Sequence, residues 1–374
     1  MPARIRVGTV GATVTKGGSG WGANAHIPAL RSLPEYELTA VCTAHPETAR
    51  ASAEAFGADL AFDNYEQMLA HPDVDLVIVC VRVPGHYDLV VKALEAGKHV
   101  FCEWPLGRTL AEAEHMANLA SARSLRTAVG LQAQSDPMVM YVRELIRDGY
   151  VGRVEAVNFT YTGQAVTERG AGRIWQGDRR NGANTLTIAA GHAIDAVCYM
   201  VGEFEELSAR LATTITEWHN PDTNETYHVD SPDWISVTGE LTSGAQAAFL
   251  TATVPAHPSG TRLEIFGNAG TLVLTTGSLN QGPSKLVGAR GKDPLEPLDA
   301  PRRFTLVPDN VPSGSPFNVA QAYKRFAEAL AQSQPFTPDF QHAVKRHALI
   351  EAIERSAADG RAIQMGTSAV GSAV

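Results

Sequence analysis

The sequence is short of cysteine, has no excess of positive charge and contains no long apolar run. Its 374 residues include four cysteines, Cys42, Cys80, Cys102 and Cys198, none at C-x-x-C spacing. Each lies in an apolar segment, so they read as buried reduced thiols, and neither a disulfide frame nor a metal site is expected. No apolar stretch approaches the roughly 18 residues that a membrane helix needs, so no membrane partner is expected. The formal charge is −9. That excludes the basic footprint of a general nucleic-acid binder. Met1 to Gly8 runs directly into a strand-like pattern, so no secretory leader is expected and the location reads as cytoplasmic. With 44 % apolar and 19 % charged residues the composition is globular, and the length suggests two domains.

What the chain does have is rhythm. Over residues 1–131, short apolar strands alternate with helical spacing. Ile5–Val10 is a strand ending at Gly11. Leu76–Val81 is an unbroken apolar run of the kind buried on both faces of a parallel sheet. Residues 86–96 and 109–123 read as helices around the strand His99–Cys102. This is the pattern of an N-terminal Rossmann domain. Residues 132–365 change character: longer strands at 153–162, 205–216, 233–242, 245–254, 261–267 and 270–275 are joined in part by tight turns. They predict a C-terminal α/β domain with an open, mostly antiparallel sheet, interrupted by a helix at 184–200. Residues 277–316 read as loops, Val319 to Leu330 and 339–358 as helices, and 366–374 as a flexible tail.

The first strand runs into a glycine-rich turn, Gly8 to Gly22. Glycines there let backbone N–H groups approach a pyrophosphate at a helix N-terminus, although the turn is longer than G-x-G-x-x-G. Gly11, Thr13, Gly20, Trp21 and Gly22 are the candidates for this contact. After the second strand, Thr43 and His45 stand where NAD enzymes usually carry an acid. The expected cofactor is NAD, with NADP not excluded.

Three segments are specific: Val83-Pro84-Gly85-His86, the run Ala96 to Leu106 with Glu103-Trp104-Pro105, and Gly191-His192-Ala193-Ile194-Asp195. Together with Glu264 to Leu272 and the final helix, they resemble the Gfo/Idh/MocA oxidoreductase family over almost the whole chain. The resemblance implies a nicotinamide cofactor and a sugar or cyclitol substrate held between the domains. It also implies an oligomer, a dimer or tetramer, built through the open sheet. It places Val83, Pro84, His86, Glu103 and Trp104 at the cofactor, and Gln132 and His192 at the substrate. Two positions depart from the family: Trp104 replaces the lysine of Glu-Lys-Pro, and Ile188 replaces an aspartate four residues before His192. An indole and an alkyl chain cannot take a proton, whereas a neutral imidazole can.

The departures resemble two branches of the family, the NAD-dependent glycoside hydrolases and the fungal galactose-regulon repressors. The leading expectation is a hydrolase that oxidises a ring carbon, eliminates the glycosidic group, adds water and returns the hydride. His192 would transfer the proton, and Tyr161 is either an acid–base group or sheet packing. Arg169, Arg173, Arg179 and Arg180 crowd one glycine-bearing loop with Trp175. Arginine forks bind carboxylate, sulfonate or phosphate oxygens, so an anionic glycoside is expected, held also by Asn184 and Gln132. Two alternatives stand beside it: a sugar dehydrogenase lacking the lysine, and a catalytically inactive dinucleotide-binding sensor.

Overall fold

The computed structural model describes residues 4–14 and 20–366. The expected flexible tail and the middle of the glycine turn lie outside these residues, except Gly366. Strands β1 (Ile5–Val10), β2 (Tyr36–Cys42), β3 (Leu60–Phe62), β4 (Leu76–Val79), β5 (His99–Cys102) and β6 (Thr127–Val129) form a parallel sheet in the order β3-β2-β1-β4-β5-β6. Helices α1 (Ile27–Arg31), α2 (Pro46–Phe56), α3 (Tyr65–Ala70), α4 (His86–Glu95) and α5 (Leu110–Ala122) connect and cover the strands. The apolar run seen in the sequence is β4, whose four residues are all fully buried because helices pack on both faces. The order reverses between β1 and β4, where a doubly wound sheet opens a ligand crevice.

After α6 (Pro137–Arg147), capped by the Asp136 carboxylate, comes a larger sheet. It contains β7 (Val154–Gln164) and β8 (Phe204–Ala212). A two-stranded hairpin, β9 (Glu217–Asn220) and β10 (Glu225–His228), stands apart. The sheet continues with β11 (Trp234–Leu241), β12 (Gln246–Val254), β13 (Gly260–Gly267) and β14 (Gly270–Thr276). Then come β15 (Ser284–Arg290) and the two short edge strands, β16 (Glu296–Pro297) and β17 (Ile363–Gln364). The order is β16-β15-β14-β13-β7-β12-β11-β8-β17. Only the β7–β12 pair is parallel; the remaining pairs are antiparallel. Helix α7 (Gly191–Val201) is buried along nearly its whole length. Two more helices follow, α8 (Ser315–Ala331) and α9 (Phe340–Asp359), the latter packed against both α5 and β8.

The structure differs from the sequence reading in three places. The segment 277–316 contains β15, which pairs with β14 from Gly270↔Arg290 to Thr276↔Ser284. Only Leu286 and Gly288 of β15 are buried, too sparse an alternation to announce a strand. The helix expected at 184–200 begins as a π-helical turn, Leu186–Ala190, before α7. Helix α8 packs on the first sheet, with Val319, Tyr323 and Phe326 sharing a core with Val7, Ile78 and Phe101. Helical spacing reveals an apolar stripe but not which sheet receives it. Among the described residues, no helix is long and apolar enough to cross a membrane.

Candidate active site

The carboxyl ends of β1, β2 and β4 open onto a trough made of two joined cavities. The outer one, about 460 Å³, is lined by Thr43, His45, Thr48, Asp63 and Tyr65. The inner one, about 450 Å³, is lined by Gly20, Trp21, Val83, His86, Glu103, Trp104 and Gln132. Gly11, Thr13 and Val81 line both. A third cavity, about 420 Å³, lies against the large sheet and shares Arg173, Gln176, Ile188, His192, Asn280 and Gln281 with the inner trough. His192 therefore stands at the junction of the two domains' cavities.

Local geometry explains the trough. Gly11 has φ +99°, and a Cβ there would lie 2.6 Å from the Cys80 carbonyl oxygen. Only glycine lets β1 turn this closely over the end of β4. Thr43 Oγ1 bonds Thr48 Oγ1 at 2.6 Å and donates to His45 O at 3.0 Å. The loop after β2 thus offers hydroxyls, and the carboxylate in the outer cavity is Asp63, after β3. The His86 ring nitrogens face the carbonyls of Pro105 (2.9 Å) and Val81 (3.1 Å). Burial holds this imidazole below its ordinary pKa, and it ties the loops after β4 and β5 together.

Trp104 lies where the resemblance implies a lysine. Its indole N–H donates to Thr187 O at 2.7 Å, and its ring packs on His347 with centroids 4.8 Å apart. Gly191 permits this approach, because a Cβ there would meet Trp104 Nε1 at 2.8 Å. The indole fastens the π-helical turn that introduces His192. Asn184 lines the third cavity, yet its Oδ1 accepts from the N–H groups of Leu186 and Thr187 and so caps the same turn.

His192 is 8 % exposed, and its Nδ1 has no hydrogen-bond partner among the described residues. Burial pushes its pKa below the ordinary value of 6.5, against the upward pull of Glu103 and Asp195. The imidazole is therefore a neutral base near pH 7. Gln132 is 2 % exposed with neither amide atom partnered. Such buried polar groups ordinarily meet a partner, so a ligand or water is indicated at both residues. Tyr161 lines the third cavity, and burial raises its phenol pKa, leaving it a proton donor.

The four arginines divide. Arg169 lies in the third cavity over the Trp218 ring at 4.9 Å, with Nε unpartnered. Burial and then Arg173 lower its pKa, but a guanidinium remains charged. Arg173 lines both cavities. Arg179 and Arg180, expected in the anion clamp, lie outside the cavities. Arg179 pairs with Glu354 at 3.1 Å, and Arg180 pairs with Asp178 at 2.7 Å. Carboxylates from the same loop and from α9 draw them outward. Trp175 lines the inner trough, with Arg82 over its ring at 5.8 Å. Gly22 and Pro84 do not line the trough: Gly22 packs against Cys80, and Pro84 sits in the turn leading to α4. The sequence reading passed over Trp218, Asn280, Gln281 and Asp63. The turn Asn220-Pro221-Asp222 marks the hairpin that presents Trp218, whereas nothing in the chain before Asn280 separates it from ordinary loop.

The trough suits an extended dinucleotide: two joined cavities run along strand ends at the switch point, beside a glycine turn and an unpartnered buried amide. Comparisons with known proteins agree. Residues 10–131 match the Gfo/Idh/MocA oxidoreductase family, described as having an NAD-binding Rossmann fold, and residues 137–276 match the Gal80p C-terminal domain. Dehydrogenase aclE of Aspergillus oryzae is 33 % identical over 302 residues, 77 % of this chain and 80 % of that protein. The galactose/lactose metabolism regulatory protein GAL80 of Saccharomyces cerevisiae is 28 % identical over 237 residues, 58 % of this chain and 52 % of its own. The structure of levoglucosan dehydrogenase with NADH and levoglucosan superposes with a TM-score of 0.84 at 23 % identity, over 97 % of this chain and 99 % of that one.

Proposed function

We propose that this chain, which belongs to the Gfo/Idh/MocA oxidoreductase family with its NAD-binding Rossmann fold, oxidises a hydroxyl-bearing carbon of a sugar or sugar derivative. The observation that carries this reading is His192 at the junction of the trough and the third cavity. Bound NAD supplies the hydride acceptor. His192, neutral and without a partner at Nδ1, takes the hydroxyl proton, which is the part a general base plays in alcohol oxidation. Trp104 moves no proton; its N–H is committed to Thr187 O. Gln132 offers the inner trough a donor and an acceptor. Arg169 and Arg173 give the substrate cavity two cations, which favour a carboxylated, sulfonated or phosphorylated sugar.

The finer reading is a redox-neutral glycoside hydrolase. It is supported by His192 and Tyr161 lining one cavity with different proton affinities. A base can then remove the proton beside a transient ketone while an acid protonates the departing oxygen. The outer face of the large sheet, with Trp234 and Phe266 partly exposed, is the surface through which we expect a dimer or tetramer.

The test is an assay with NAD against free sugars and 4-nitrophenyl glycosides, neutral and anionic, following reduced cofactor and nitrophenolate separately. Reduced cofactor rising with a free sugar, and lost in His192→Ala, supports the dehydrogenase. Nitrophenolate in excess over cofactor, with no net reduction, supports the hydrolase. Dinucleotide binding with silence in both channels would overturn the enzymatic reading in favour of a sensor.

A further inference from the structure

Glu103 is the carboxylate lining the inner trough among the described residues. It is backed by two side chains that no part of the proposed reaction uses. His26, 0 % exposed, lies in the helical turn after the glycine loop, and its Nε2 is 2.9 Å from Glu103 Oε1. Its Nδ1 is 2.5 Å from the Tyr323 hydroxyl on α8, and Tyr323 is also fully buried. The direction of these bonds follows from chemistry. A carboxylate only accepts, so His26 donates through Nε2–H. In the neutral ring its Nδ1 is then an acceptor, and the phenol donates to it. Burial keeps the Tyr323 pKa well above its ordinary value, so that donor persists. The chain of bonds Tyr323→His26→Glu103 is one-way, and it fixes one carboxylate oxygen. Glu103 also packs closely against Gly130, where a Cβ would lie 2.4 Å from Oε1 and 2.9 Å from Oε2.

We infer that His26 and Tyr323 are positioning residues that hold the Glu103 carboxylate beside the nicotinamide end of the trough, where it favours the oxidised dinucleotide over the reduced one. The inference rests on the oxidoreductase reading, because the nicotinamide must meet the substrate, and the trough meets the substrate cavity at His192, near Glu103. The physical reason is charge. The oxidised ring is cationic and the reduced ring is neutral, so a fixed carboxylate in a low-dielectric pocket attracts one and is indifferent to the other. Fixing the carboxylate through buried partners keeps this preference from relaxing by side-chain rotation.

The test is binding rather than turnover. Affinities for NAD and NADH are measured by calorimetry and by nucleotide fluorescence in the wild-type protein, Glu103→Gln and Tyr323→Phe. Glutamine keeps an acceptor for His26 and removes the charge. It is expected to lower the ratio of NAD affinity to NADH affinity by about tenfold. Tyr323→Phe removes the phenol donor, frees His26 to switch tautomer, and is expected to shift the ratio the same way by about twofold to threefold. An unchanged ratio in Glu103→Gln, with wild-type binding intact, overturns the inference and leaves the oxidoreductase reading standing. A lower melting temperature in Tyr323→Phe with an unchanged ratio overturns the positioning role, because His26 and Tyr323 then only join α8 to the first domain. Failure of the wild-type protein to bind either form would overturn the oxidoreductase reading along with the inference.

Discussion

Two groups of polar side chains are buried one turn apart on α7, and they are buried differently. At its far side, Asp195 lies 3.2 Å from Arg346 Nε and 2.6 Å from His342 Nε2, and accepts from Gln134 Nε2. Arg346, fully buried on α9, also grips Glu203 at 2.8 and 3.1 Å. Burial alone would raise both carboxylates. His342 and Arg346 hold Asp195 below its usual range, and Arg346 with Lys345 brings Glu203 down to about 2. One turn earlier, His192 faces the cavities with a nitrogen unpartnered, near Gln132 and Arg169, which are in the same condition. The first group is joined by ion pairs that fasten α7 to α9, although Gln134 Oε1 and Arg346 Nε have no hydrogen-bond partner there among the described residues. The second lines the cavities, where a ligand can reach its unpartnered atoms. Equal burial thus serves stability in one group and recognition in the other.

The sharpest way to break this contrast is Arg346→Ala. It leaves Asp195 and Glu203 buried without their cation and is expected to cost about 3–5 kcal/mol of stability, read by denaturant unfolding. His192→Ala should do the reverse. Turnover falls at least about a hundredfold while the melting temperature hardly moves. In the wild-type protein, turnover needs the neutral imidazole. Because its pKa is lowered, the acid limb of the kcat/KM profile should lie below pH 6.5. Among the arginines, Arg169→Ala is expected to lower kcat/KM for an anionic substrate about tenfold. Arg180→Ala, an exposed pair partner of Asp178, should leave it unchanged. The smallest expected change is in Gln132→Leu, with Arg180→Ala serving as the unchanged control. Removing an unpartnered buried amide should raise stability by about 1 kcal/mol while weakening dinucleotide binding. A loss of stability there would blur the distinction between the two groups.

Much of this was legible in the residues. The β4 run and the alternation around it define the parallel sheet, and the Gly191-His192 segment marks the junction residue. What stayed hidden depends on partners distant in sequence. Arg179 looks like Arg169 and Arg173 until Glu354, 175 residues on, is seen to hold it away from the cavity; Arg180 is held by its near neighbour Asp178, a pair the loop sequence does not distinguish from its other charges. Trp104 reads as a lost lysine; only the fold reveals its bond to Thr187. His26 sits 77 residues from Glu103 and 297 from Tyr323, a separation that local pattern does not bridge.

The packing of α8 on the first sheet has a consequence for how the chain is made. The core that contains Val7, Ile78 and Phe101 is completed by Val319, Tyr323, Phe326 and Phe336. The N-terminal domain is synthesised first, yet one of its faces stays open until the ribosome has added the residues through α8. Completion of this core must therefore wait until α8 has been made, and a nascent chain stalled before α8 would present a bare apolar face to chaperones.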